Sequence, residues 1–217
     1  MNFEKARFNM VEQQIRPWDV LDPAVLDLLM TVKREEYVPA AARALAFADV
    51  EIPLGQGQVM LKPVIEGKIL QSLQLHRSDS VLEVGAGSGY FAALLAARVE
   101  WVRTVDIEPE LVRFAHANLA RNGVENVIVE EGDAAQGWAS RAPYDVIVVS
   151  GGLPVVPQAL LEQLKVGGRL FAFVGEAPVM KARLITCEAE GRFLTEDIFE
   201  TLVPMLKNAP RQDSFRF

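Results

Sequence analysis

The ten residues from Val81 to Tyr90 (VLEVGAGSGY) constrain this chain more than any others. A short strand-like run enters three glycines at alternate positions, Gly85, Gly87 and Gly89, and leaves them as an apolar helical run. Each glycine has a mechanical use: positive φ in the turn, close approach of bare backbone to a ligand, or tight packing of helix on strand. The same alternation continues downstream. Strands are predicted at 80–84, 99–105, 127–131, 144–150 and 169–174, and helices at 91–97, 108–122 and 157–164, the last stopped by Gly167-Gly168. Tyr144 to Ser150 (YDVIVVS) is nearly all apolar, as a strand covered on both faces of a parallel sheet must be. Two final strands, 180–188 and 193–202, meet at the hairpin-type turn Glu190-Gly191. The expected fold is therefore α/β: a Rossmann-like, mainly parallel, doubly wound sheet with an antiparallel C-terminal edge.

Residues 1–78 read as a helical N-terminal extension. A loosely helical stretch at 3–15 ends near Pro17, and Asp22-Pro23 starts a second helix as N-cap and first helical residue. A glycine-punctuated loop covers 54–58, and Pro63 opens a helix with Ile65, Ile69, Leu70 and Leu73 on one face. The expected division is 1–78 as this segment with its loop, 79–208 as the ligand-binding α/β part, and 209–217 as a flexible or partner-binding tail. Together they make one compact domain.

What the turn binds is indicated by its acids. Glu83 stands two residues before the first glycine, and Asp106 ends the following strand about 20 residues on, where a ribose diol needs an acceptor. The spacing GxGxG differs from the GxGxxG of nicotinamide enzymes and is a methyltransferase pattern, which implies S-adenosylmethionine. That cofactor has no pyrophosphate, and Glu83 suits its cationic side, directly or through water. Asp133, after the third strand, is placed for the adenine edge. Ala86, Ile107 and Ala134, beside these residues, complete the expected cofactor contacts. Each feature also has an ordinary alternative: a tight turn for Gly85, Gly87 and Gly89, a helix N-cap for Asp106, a loop acid for Asp133.

Bulk properties narrow the partners. A net charge of -7 disfavours phosphate backbones, so no nucleic-acid partner is expected. One cysteine, Cys187, excludes an internal disulfide, and two histidines are too few for a His/Cys metal cluster, so no metal is expected. Without a basic-then-apolar leader or a 20-residue apolar run, a cytoplasmic protein with no membrane contact is expected. The oligomeric state stays open.

Five segments together resemble the protein-L-isoaspartate (D-aspartate) O-methyltransferase family. They are Arg34 to Pro39 (REEYVP), Ile52 to Gln58 (IPLGQGQ), Val81 to Tyr90, Pro143 to Ser150 and Val203 to Leu206 (VPML). The resemblance runs to about Asn208, and the GQGQ loop is its most family-specific part. It implies a class I methyltransferase fold and methyl transfer to a carboxylate of an isoaspartyl residue. The damaged protein or peptide would be repaired, with S-adenosylhomocysteine as the product. Gln56, Gly57, Gln58 and Val59 would form the substrate loop over the cofactor, and Ser150 would face the substrate cleft or serve as a strand-end hydrogen-bonding residue.

In the family this loop continues Thr-Ile-Ser-x-Pro, with the serine hydroxyl near the cofactor's methyl group. Here it reads Val59-Met60-Leu61-Lys62-Pro63, so Leu61 occupies the serine's position and both hydroxyls are missing. Lys62 is a candidate for replacement charge, or else a solvated loop lysine. The loop admits three readings: an isoaspartyl methyltransferase, a methyltransferase for a less polar, small-molecule acceptor, and a non-catalytic binder of S-adenosylmethionine or S-adenosylhomocysteine.

Overall fold

The computed structural model describes residues 2–210; the expected tail lies, from Arg211 onward, outside them. Seven strands form one sheet in the order β5-β4-β3-β6-β7-β8-β9. These are β3 (Ser80–Val84), β4 (Trp101–Asp106), β5 (Val127–Glu131), β6 (Tyr144–Leu153), β7 (Leu164–Glu176), β8 (Val179–Ala189) and β9 (Arg192–Thr201). The pairs from β5 through β7 are parallel, and β7, β8 and β9 are antiparallel. The helices are α3 (Pro63–Leu73), α4 (Tyr90–Ala96), α5 (Pro109–Arg121) and the short α6 (Gln158–Leu161).

Burial explains why the central strands were legible. Val146 and Val148 of β6 join a cluster on one face with Leu94 and Phe171, while Ile147 and Val149 join a second cluster with Leu82 and Leu170. All four β6 residues have no exposed surface, so both faces select apolar side chains. The chain leaves β3 toward β4 on one side and reaches β6 on the other. Ligands of such sheets bind at this reversal, beyond the carboxyl ends of the strands.

The N-terminal segment packs on the first cluster. Helix α1 (Phe3–Met10) runs into a π turn at Val11–Ile15 and a 3-10 turn at Arg16–Trp18, so the expected helix at 3–15 is three pieces. Helix α2 (Pro23–Thr31) is capped by the Asp22 side chain, which accepts from the Ala24 N–H at 2.8 Å. The loop expected at 54–58 is the turn of a hairpin, β1 (Ile52–Gly55) with β2 (Gln58–Met60).

One expected element is wrong in extent. The helix at 157–164 is reduced to Gln158–Leu161, and Gly167-Gly168 does not end it. Pairing with β6 begins before the helix can lengthen: the Tyr144 N–H donates to the Gln163 carbonyl at 2.8 Å. The two glycines sit in a bulge inside β7. A Cβ on Gly168 would lie 2.8 Å from the Lys165 carbonyl oxygen, which only glycine tolerates.

Candidate active site

The cleft lies where the glycine turn leaves β3. Gly85, Gly87 and Gly89 all have positive φ, and the Gly85 N–H donates to the Val105 carbonyl of β4 at 2.8 Å. Their tasks differ. A Cβ on Gly89 would press on backbone atoms of Ala115 in α5 at 3.1–3.2 Å, so this glycine serves helix packing. Gly85 and Gly87 face the cleft, with Ser150 and Leu54 the nearest neighbours of an added Cβ, at 3.5 and 3.3 Å.

Two cavities meet at Gly85. One is lined by Gln58, Asp106, Ile107, Asp133, Ala134, Leu206 and Lys207. The other is lined by Val59, Met60, Leu61, Glu66, Glu83, Ala86, Gly87, Ser88, Phe91 and Ser150. The hairpin therefore contributes to both, through Gln58 to the first and Val59 to the second.

The register of β3 with β4 pairs Glu83 with Thr104 and buries both side chains. Thr104 Oγ1 donates to the Glu83 carboxyl at 2.6 Å, and Ser150 Oγ lies 3.5 Å away. Burial raises the Glu83 pKa to about 8, helped by the nearby Asp106 and Glu66 carboxylates and opposed by the Thr104 hydrogen bond. No cation pairs with it among the described residues. Glu66, at the start of α3, is raised to about 7 by burial, against the attraction of the Arg34 guanidinium.

Asp106 is neither a plain N-cap nor a free acceptor. One oxygen accepts from the Gly87 N–H at 2.9 Å and the other from the Glu108 N–H at 3.0 Å, so the carboxylate ties the glycine turn to the start of α5. The N-cap position itself is Glu108. Burial raises the Asp106 pKa, and these two backbone hydrogen bonds oppose it. Asp133 accepts from the Ala135 N–H at 3.0 Å and from Asn208 at 2.9 Å.

The donor set fits a cationic sulfonium cofactor. Glu83, Asp106 and Asp133 line the cleft, and among the described residues its one lining cation, Lys207, is ion-paired with Glu108. A pyrophosphate would meet carboxyls at every turn, whereas an ammonium or sulfonium is stabilised by them.

Most of the residues singled out by sequence lie in this cleft, with four exceptions. Gly89 is a packing glycine, and Gln56 and Gly57 form the exposed hairpin tip, where Gln56 donates to Glu110 at 3.0 Å. The side chain of Lys62 is exposed at the N-cap of α3 and does not line the cleft. Sequence reasoning missed Glu66, Ser88, Phe91, Leu206 and Lys207. A signal existed for Glu66, an acid directly after the apolar start of α3 (PVIE), and for Leu206, inside the VPML segment.

A family model described as protein-L-isoaspartate(D-aspartate) O-methyltransferase (PCMT) matches residues 5–208. Protein-L-isoaspartate O-methyltransferase 1 of Rhodopseudomonas palustris is 44% identical over 174 residues, covering 80% of this chain and 71% of the relative. Protein-L-isoaspartate O-methyltransferase 2 of Pelobacter propionicus is 42% identical over 190 residues, covering 88% and 84%. Among solved structures, a Plasmodium falciparum chain described as a beta-aspartate methyltransferase, in complex with S-adenosyl-L-homocysteine, shares the fold. Its TM-score is 0.80 at 18% identity, over 95% of this chain and 99% of that one.

Proposed function

We propose, for a chain that belongs to the protein-L-isoaspartate(D-aspartate) O-methyltransferase family, that the loop from Val59 to Leu61 holds the isoaspartyl carboxylate of a damaged protein for methylation. The chain is an S-adenosylmethionine-dependent methyltransferase of the class I fold. The observation that carries the reading is the shared wall at Gly85. The half with Asp106 and Asp133 suits an adenosine, and the half with Glu83 suits the amino-acid end. A donor lying across Gly85 then presents its reacting centre to the loop.

When bound, S-adenosylmethionine supplies a methyl group on a sulfonium, which an attacking oxygen takes while sulfur keeps the electron pair of the broken C–S bond. The residues need only position and shield. An isoaspartyl carboxylate is ionised at neutral pH, so no general base is required. Val59, Met60 and Leu61 wall the acceptor half with apolar surface and exclude water from it. Ser150, beside Glu83, is the hydroxyl to which we assign the acceptor's hydrogen bond. Asp106 holds the Gly87 backbone and keeps the turn open to the donor.

Incubation with methyl-labelled cofactor and an isoaspartyl peptide, with its aspartyl twin as control, tests the assignment. A base-labile methyl ester on the isoaspartyl peptide alone is the expected result, and no ester above the enzyme-free control would overturn it. The buried Leu61 and Met60 favour a second reading, a less polar acceptor, for which the label would resist base. A cytoplasmic place of action accords with the lone buried thiol of Cys187 and with the lack, among the described residues, of any helix able to cross a membrane.

A further inference from the structure

We infer that Arg34 is a positioning residue for the methyl acceptor, acting through the backbone carbonyl of Leu61; the inference rests on the assignment of the 59–61 loop to the acceptor. Arg34 opens a 3-10 turn, Arg34–Glu36, 27 residues before the Leu61 it contacts. Its side chain has no exposed surface. Burying a guanidinium is costly, and a well-packed apolar pair often gives equal or greater stability, so stability alone does not explain this charge.

Its contacts do explain it. One terminal nitrogen donates to Glu66, the other donates to the Leu61 carbonyl at 2.5 Å, and the guanidinium carbon lies 5.0 Å from the centre of the Tyr90 ring. These partners belong to the loop, to α3 and to the first residue of α4. Leu61 and Glu66 line the acceptor half of the cleft, and Tyr90 directly follows the glycine turn. Among the described residues, Arg34 is the only cationic side chain bonded to a lining residue of that half. Among the described residues it has no hydrogen bond to the half lined by Asp106 and Asp133.

The guanidinium is therefore a fixed fork between the loop and α3. It sets how far the Leu61 backbone, and with it the apolar wall, stands from the reacting centre. A displacement of about 1 Å at such a wall costs roughly a hundredfold in rate. Lysine keeps the charge but cannot span two acceptors and stack on a ring at once.

Two variants of the intact protein test this: Arg34→Lys, and the apolar pair Arg34→Met with Glu66→Leu, which removes the buried charges together and guards against misfolding. Three quantities are read: S-adenosylhomocysteine affinity by calorimetry, kcat and KM on an isoaspartyl peptide, and amide-exchange protection of the 59–62 backbone. Arg34→Lys is expected to bind S-adenosylhomocysteine within about twofold of the wild type, and both variants to lose 59–62 protection and to lose kcat by roughly 30- to 100-fold, with a smaller change in KM. A folded apolar pair with wild-type kinetics would show Arg34 to be structural only and would overturn the inference. Loss of S-adenosylhomocysteine affinity in Arg34→Lys equal to its loss of kcat would do the same. If the wild type forms no isoaspartyl ester, the proposed function fails by itself. Exchange then decides on Arg34: protection lost at unchanged S-adenosylhomocysteine affinity supports it, and protection retained overturns it.

Discussion

Replacing Glu83 by glutamine should change how stability depends on pH far more than it changes stability at any one acid pH. The glutamine amide keeps the shape and can still accept the Thr104 hydroxyl, so at pH 5 the two proteins should be close in stability. In the folded wild type the carboxyl titrates at about 8, against 4.5 for the ordinary group. Between those values the folded state holds a proton that the unfolded state has released. The stability of the wild type therefore falls as pH rises, by up to about 1.4 kcal/mol per pH unit. Integrated from pH 5 to pH 8, this single group removes a few kcal/mol, which for a domain of this size is a melting shift of roughly 10 °C. Glutamine removes that slope and leaves the contributions of Glu66 and Asp106 in place. Calorimetric melting of both proteins at half-unit steps from pH 5 to 8 isolates the group as the difference between the curves. The gap should widen in favour of the variant toward pH 8. A constant gap would mean that Glu83 is ionised throughout, and the account of it as a neutral acid in a cation site would be wrong. Because a cationic ligand favours the ionised form, S-adenosylmethionine should also bind the wild type more tightly as pH rises toward 8, and the variant should show no such trend.

Three further substitutions probe the cleft and the packing beneath its glycine turn. Leu61→Ser restores a hydroxyl to the acceptor wall and should raise kcat on an isoaspartyl peptide by roughly ten- to a hundredfold; an unchanged rate would mean that the side chain of residue 61 does not meet the acceptor. Asp106→Asn weakens the tie between Gly87 and Glu108 and should weaken S-adenosylhomocysteine binding by about tenfold, or about 1.4 kcal/mol by calorimetry. Gly89→Ala forces a left-handed alanine at φ 79° onto the Ala115 backbone and should cost about 2–3 kcal/mol in denaturant melts, whereas a loss below 0.5 kcal/mol would remove the packing role.

Legibility in the sequence followed the number of constraints on each residue. Strands β3 and β5 lie at the expected 80–84 and 127–131 because glycine or polar residues bound short apolar runs there. The 157–164 helix failed because Gly167-Gly168 marks a bulge as readily as a helix end, and only the register against Tyr144 decides between them. Glu83 and Asp106 were visible as acids in a glycine pattern, but their bonds to Thr104, Gly87 and Glu108 depend on the alignment of two strands. The pairing of Arg34 with Glu66 was hidden for a simpler reason: an ion pair across 32 positions leaves no periodic trace. Leu206 and Lys207 reach the cleft because the backbone after β9 returns to β6, where the Gly152 N–H donates to Pro204 and the Leu206 N–H donates to Gly152, both at 2.8 Å.

That return has a consequence for synthesis. Among the described residues, every other lining residue of the adenosine half lies between Gln58 and Ala135, so a ribosome completes them long before Leu206 and Lys207 emerge. A ligand stabilises a fold only by binding the folded form, and here the last wall of its site is translated some seventy residues after the rest. Any pairing of β3 to β6 during synthesis therefore proceeds without the finished cofactor site, on the strength of strands such as β6 that are apolar on both faces.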